Sequence, residues 1–198
     1  MESIKTIEKD GFKAEIFTDD DPFNPREECD HLGKMVCFHK RYNLGDDTNI
    51  KSDDFNGWEE LETYIRQELK AAVVLPIYMY DHSGITINTT GFSCPWDSGQ
   101  VGFIYATRDI IKKEYELKRN INPKTIQKVK DVLEAEVREY DQYITGEVYR
   151  IEITGKDGEV IDSCSGFYGM KYAEEQANEM LDLNIFHEQH KPSQSVSV

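Results

Sequence analysis

The chain has no long apolar run. Its longest, Ala71 to Tyr80, is interrupted by Pro76 and falls short of the roughly 18 residues that cross a bilayer, so no membrane span is expected. Met1 to Asp10 carries Glu2, Glu8 and Asp10 but no apolar segment, so no secretory signal is expected either. Cysteine is sparse. Cys29, Cys37, Cys94 and Cys164 are four in 198 residues and form no tight disulfide framework. A chain of this length buries a core without staples, so the four are expected as reduced thiols in a cytoplasmic protein. Basic residues are also short: 23 Lys and Arg face 38 Asp and Glu, for a net charge of −15. Phosphate neutralisation needs clustered Lys and Arg, which argues against direct nucleic-acid binding. A phosphate-cradling glycine loop is missing as well. Gly99-Gln100-Val101-Gly102 leads into a strand pattern rather than a helix, and Gly166-Phe167-Tyr168-Gly169 reads as a turn into a helix.

The remaining composition suits a globular fold. Hydrophobic residues make up 38% and aromatics 11%, too many for a disordered chain. The negative charge is uneven: residues 1–60 carry net −8 and 151–198 net −6, against −2 for 61–105 and +1 for 106–150. Acid therefore gathers at both ends, around a nearly uncharged apolar block.

Residues 12–18 alternate imperfectly and read as a strand that Asp19-Asp20-Asp21-Pro22 ends, with Asn24-Pro25 continuing the turn. Lys34 to Tyr42 reads as a second strand, with Met35, Cys37 and His39 on one face. Apolar residues at Trp58, Leu61, Ile65, Leu69 and Ala72 have helical spacing, with Asp54 or Asn56 as candidate cap and Glu59, Glu60 and Glu62 in the first turn. Val73 to Tyr80 is a buried strand. It turns through Asp81-His82-Ser83-Gly84 into a second strand around Ile85 to Thr89. Phe92 to Gly99 reads as a loop and Val101 to Ala106 as a short buried strand. Helices are expected over 108–118 and 124–143, a hairpin over 146–168 around Lys156-Asp157-Gly158, and a last helix over 171–183. The expected class is α+β, a mainly antiparallel sheet of hairpins packed with three to four helices, in a single domain over 1–190 with a frayed Ser-rich tail over 191–198.

Three constellations could carry chemistry. His82 and Asp81 lie close in sequence to Cys94 and Asp97. A thiol protease would use Cys94 as nucleophile, His82 as base and Asp97 or Asp81 to orient it. Pro95 removes an amide that an oxyanion hole could use, and a plain turn with Cys94 packed as a small hydrophobe explains the same residues. Cys29-Asp30-His31 and Cys37-Phe38-His39 are two Cys-x-His units, so a zinc site of Cys29, His31, Cys37 and His39 is conceivable, although neither unit has the usual ligand gap. Third, aromatic residues stand beside acid. Trp58 neighbours Asp53, Asp54, Glu59 and Glu60, and Trp96 neighbours Asp97. Trp58 fits a helix core stripe, whereas Trp96, in a loop, fits an interface anchor.

The run PIYMYDHSGITINTTGFSCPWDSGQVGFIYA (Pro76 to Ala106), with LGKMVCFHKRYNLGD, TGEVYRIEI and DSCSGFYG, resembles a family of uncharacterised proteins carried by phages, plasmids and other mobile elements of Firmicutes. The resemblance covers most of the chain and brings no catalytic residue with it. Some mobile-element proteins of this size and acidity are anti-CRISPR or anti-restriction inhibitors. The leading expectation is therefore a non-enzymatic inhibitor, without cofactor, that binds a host defence nuclease or effector by imitating nucleic acid. Asp19, Asp20, Asp21, Asp53, Asp54, Glu59 and Glu60 would supply the phosphate-like charges and Trp96 the anchor. The alternatives are a small cysteine- or metal-dependent enzyme centred on His82 and Cys94, and a plain interaction protein whose acidity serves solubility alone.

Overall fold

A computed structural model describes residues 2–190; the expected frayed tail over 191–198 lies outside the described residues. The fold is α+β, with five helices and eight strands in two antiparallel sheets among the described residues. No helix there is long and apolar enough to cross a membrane. The chain clusters into two compact units. One is built from Met1–Phe23 and Gly146–Val198, the other from Asn24–Thr145.

The first unit is a four-stranded meander under one helix. Strands β1 (Lys5–Lys9), β2 (Phe12–Thr18), β7 (Val148–Thr154) and β8 (Val160–Tyr168) lie in the order β1-β2-β7-β8. β1 was not expected. Ile7 is its one apolar residue, and its edge position leaves the rest in water. The legible signal was Asp10-Gly11, whose positive φ values of 52° and 82° make a two-residue hairpin turn. Pairing of Ala14 with Ile153 and of Ile16 with Ile151 puts four fully buried side chains together. Helix α5 (Met170–Gln189) lays the stripe Ala173, Ala177, Leu181 and Ile185 over them. This helix runs further than the expected 171–183.

The second unit has helices on both faces of a sheet ordered β3-β6-β4-β5. Its strands are β3 (Lys34–Cys37), β4 (Ala71–Asp81), β5 (Ile85–Asn88) and β6 (Ser98–Thr107). β6 is central and buried from Val101 to Ala106. Helix α4 (Pro123–Ile144) covers one face through Val129, Leu133, Val137 and Tyr140. Helix α2 (Trp58–Gln67) covers the other, setting Leu61 and Ile65 against Phe103 and Tyr105. α2 stops short of the expected Ala72, because Lys70 takes a left-handed φ of 56° and Ala71 already begins β4. Gly57 stands at its N-cap, not Asp54 or Asn56, and the Glu60 carboxylate reaches back to the Asn56 amide at 2.7 Å. Asn24-Pro25 is a helix start rather than a turn. Asn24 caps α1 (Pro25–Glu28), with Pro25 at its first position. Helix α3 (Arg108–Glu114) completes the unit and is shorter than expected.

Candidate functional site

β4 and β6 extend past the expected strand ends until Tyr80 pairs with Ser98, and Asp81 N–H donates to Asp97 O at 2.8 Å. This closure brings Asp81, His82, Cys94 and Asp97 to one end of the second unit. A tight turn (Ser83 φ 59°) sends the chain back from His82, whose N–H donates to Gly84 O at 3.0 Å. Asp97 is the hub. Its Oδ2 accepts from Cys94 Sγ at 3.6 Å and lies 3.4 Å from His82 Nδ1. Asp81 faces elsewhere, paired with Arg41 and accepting from Tyr42 OH at 3.4 Å. The four residues meet, but not in the order a thiol enzyme needs. Among the described residues no hydrogen bond joins Cys94 to His82. The Cys94 thiol faces the Asp97 carboxylate instead of the imidazole that a Cys–His pair requires.

Cys29, His31, Cys37 and His39 are not brought together as a ligand set. Among the described residues no three His, Cys, Asp or Glu groups are placed to hold a metal ion. β3 ends at Cys37 rather than Tyr42, so Cys37 and His39 do not share a strand face. Burial pushes the Cys37 thiol up to about 12. His39 stacks on Tyr42, with ring centroids 5.1 Å apart. Cys29 is exposed, and His31 Nδ1 lies 3.0 Å from the Cys29 carbonyl oxygen while its Nε2 faces Glu139 at 3.6 Å.

The acidic candidates divide between the units. Asp19, Asp20 and Asp21 belong to the first, and Asp53, Asp54, Glu59 and Glu60 to the second. Two of them are occupied by the fold. Asp19 accepts from Gly166 N at 3.1 Å and from Asp21 N at 3.3 Å. Glu60 accepts from both nitrogens of Asn56, bonds that hold its carboxyl below the usual range. Asp20, Asp21, Asp53, Asp54 and Glu59 are exposed. Trp58 is core as expected, stacked on Phe38 and edge-on to Phe103. Trp96 is 93% exposed.

Folding also reorganises the charge. The two acidic chain ends join in the first unit, which holds 17 acidic and 7 basic side chains for a net −10, leaving net −5 on the much longer second unit. This concentration depends on β2 pairing with β7 across more than half the sequence, and no local pattern announces it.

Two further polar sites were not legible in the sequence. The Arg26 guanidinium, 1% exposed, grips Asp46 through Nε and Nη2 at 2.8 Å each. Its Nη1 reaches Glu136 Oε2 at 3.2 Å and Nη2 reaches Gly33 O at 2.9 Å. Asp141, on α4, accepts from Thr86 Oγ1 at 2.8 Å and from Ile87 N at 2.7 Å, pinning β5. Burial raises the Asp141 carboxyl above its ordinary value of 3.8, and these two bonds oppose the rise. A carboxyl raised on folding favours the folded state fully below its unfolded value, and that contribution is lost as pH climbs through the folded value. Asp141→Asn keeps the acceptor oxygen and removes the buried charge. Relative to the parent, the variant should therefore gain stability as pH rises from about 3.5 to about 7. Urea midpoints at the two pH values measure this, and a relative loss at the higher pH would contradict it.

Beside the hub, the segment after β3 lines a cavity of about 800 Å³ formed by residues 37–43 and Ser52. A smaller one of about 380 Å³ shares His39 and Arg41 with it and continues past Asp81, Trp96 and Asp97. In comparisons with protein families, curated proteins and solved structures, no match to this chain was found.

Proposed function

We propose that the chain is a non-enzymatic, cytoplasmic inhibitor of the anti-CRISPR or anti-restriction type, encoded by a mobile element. It binds a host defence nuclease or effector in the basic channel that otherwise takes nucleic acid. The observation that carries this reading is the first unit's charge. Its net is −10, and its described cations are already engaged: Lys5 with Glu174, Lys9 with Asp182, Lys13 with Glu15, Arg150 with Glu152 and Lys171 with Glu175, while Lys156 sits over the Phe12 ring. Among the described residues, Asp20 and Asp21 are exposed and enter no ion pair. Such a surface speeds encounter with a basic channel and sets partner choice, and an exposed indole such as Trp96 supplies the slow-dissociating anchor.

Capture of a purified CRISPR effector or restriction complex, measured from about 0.05 M to about 0.5 M salt, tests the reading, because screening over this range weakens exposed charge pairs strongly. Affinity should fall by about tenfold or more. It should fall similarly at low salt for Asp20→Asn with Asp21→Asn, or for Asp53→Asn, Asp54→Asn and Glu59→Gln together, with Asp19 and Glu60 left to hold the fold. Salt-insensitive binding, or capture of no such effector, would count against the proposal.

A further inference from the structure

We propose that the groove along residues 37–43 and 96–101 of the second unit binds a nucleotide, with its phosphates at His39, Lys40 and Arg41 and its base against Trp96. This inference does not rest on the inhibitor reading, although both use Trp96.

The groove has two chemically distinct halves. The larger cavity is lined by residues 37–43 and Ser52, three of which are cationic or can become so and none of which is acidic. In a chain with 38 acidic side chains to 23 basic ones, a concavity of this size without a carboxylate suits an anion. Its volume falls in the range of small-molecule sites. Cys37 adds no negative charge, since its thiol stays protonated. Two of the three cationic side chains have partners here, and the Arg41 guanidinium is shared with Asp81 of the second half. Phe38 N–H donates to Val101 O at 2.7 Å, fixing the segment on β6. His39 stacks on Tyr42, and the Arg41 guanidinium sits 5.3 Å from the same ring. Arg41 N–H donates to His39 Nδ1 at 3.4 Å, which leaves the Nε2–H as the ring's free donor in the neutral imidazole.

The second half shares His39 and Arg41 but adds Asp81, Asp97 and Trp96. Two carboxylates would repel a simple anion or an acidic peptide, yet they accept hydrogen bonds from ribose hydroxyls and base amino groups. The indole of Trp96, almost wholly exposed, is a stacking platform for a planar ring. A nucleotide carries both requirements in one molecule, anionic at one end and planar and hydrogen-bond-donating at the other. A polynucleotide would meet the net charge of −15 along its whole length, whereas a mononucleotide meets it once.

The test uses the intact chain carrying Trp58→Phe, which leaves Trp96 as the single tryptophan. ADP and GDP should quench its fluorescence saturably, with adenosine and inorganic pyrophosphate each binding at least about tenfold more weakly. Lys40→Gln with Arg41→Gln should weaken ADP binding by about tenfold or more, and Trp96→Leu should do the same in calorimetry on the otherwise unsubstituted chain. Calorimetry also serves if Trp58→Phe perturbs the core. Three outcomes would overturn the proposal: no saturable binding at millimolar nucleotide, pyrophosphate binding as tightly as ADP, or binding of a single-stranded oligonucleotide without binding of either mononucleotide.

Discussion

Replacing Arg26 with alanine should cost the second unit about 3–5 kcal/mol, the range found when a buried ion pair loses one member. Arg26, Asp46 and Glu136 side chains are all under 10% exposed, and the guanidinium is the group that faces both carboxylates. Without it, two carboxylates remain buried and must find water or protons. Swapping a whole buried ionic cluster for well-packed apolar residues is often neutral or stabilising. Here it should be neither. Glu136 also accepts from the amides of Leu32 at 2.8 Å and Gly33 at 3.1 Å, and Asp46 accepts from Met35 N at 3.0 Å. The Glu136 bonds fasten the stretch between α1 and β3 to α4, and the Asp46 bond fastens β3 to the loop that follows it. The triple variant Arg26→Met, Asp46→Leu, Glu136→Leu would orphan those backbone donors, at about 1–3 kcal/mol each. Urea unfolding should find it no more stable than Arg26→Ala. A single variant that shifts stability by under about 1 kcal/mol, or a triple variant that recovers the parent midpoint, would show that the network is not what holds this stretch.

The network also marks where sequence reading stops. Arg26 and Glu136 are 110 residues apart, and nothing local distinguishes Arg26 from any surface arginine. The elements that were legible have local causes. The apolar spacing of α4 needs only Val129, Leu133 and Val137 to share a face, and the hairpin of β7 and β8 needs only the turn at Asp157-Gly158. The meeting of Asp81 with Asp97 follows from strands that flank one excursion. What failed either lacked an apolar pattern of its own or depended on partners far along the chain. β1 is an exposed edge whose one apolar residue reads as nothing until β2 is beside it. The Cys37 and His39 pair looked like a ligand couple because the strand pattern ran on to Tyr42, and β3 in fact stops at Cys37, where Phe38 N–H turns to the Val101 carbonyl. The acidity was plain at both chain ends, but its concentration into one unit required the β2–β7 pairing.

Gly102→Ala should be strongly destabilising, through backbone rather than charge. Cys37 pairs with Gly102 across β3 and β6. A Cβ at position 102 would lie 2.0 Å from the Val36 carbonyl oxygen and 2.8 Å from Cys37 Cα. Neither neighbour is a flexible side chain that can swing aside, so the strands must separate. β3 has only four residues, and it loses part of its pairing at the point where the chain leaves for His39, Lys40 and Arg41. Overpacking in a buried core costs about 1–3 kcal/mol, and the closeness of this approach places Gly102→Ala at or above the upper end. Gly99→Ala is the stability control, since a Cβ there meets nothing within 4 Å and the cost should stay within about 0.5 kcal/mol. Urea midpoints compare the two. Hydrogen exchange adds a readout specific to the mechanism: the β3 amides of Gly102→Ala should lose protection while the α4 amides keep theirs. If Gly102→Ala unfolds no more easily than Gly99→Ala, the close approach of β3 to β6 is wrong, and with it the placement of the cationic segment that follows β3.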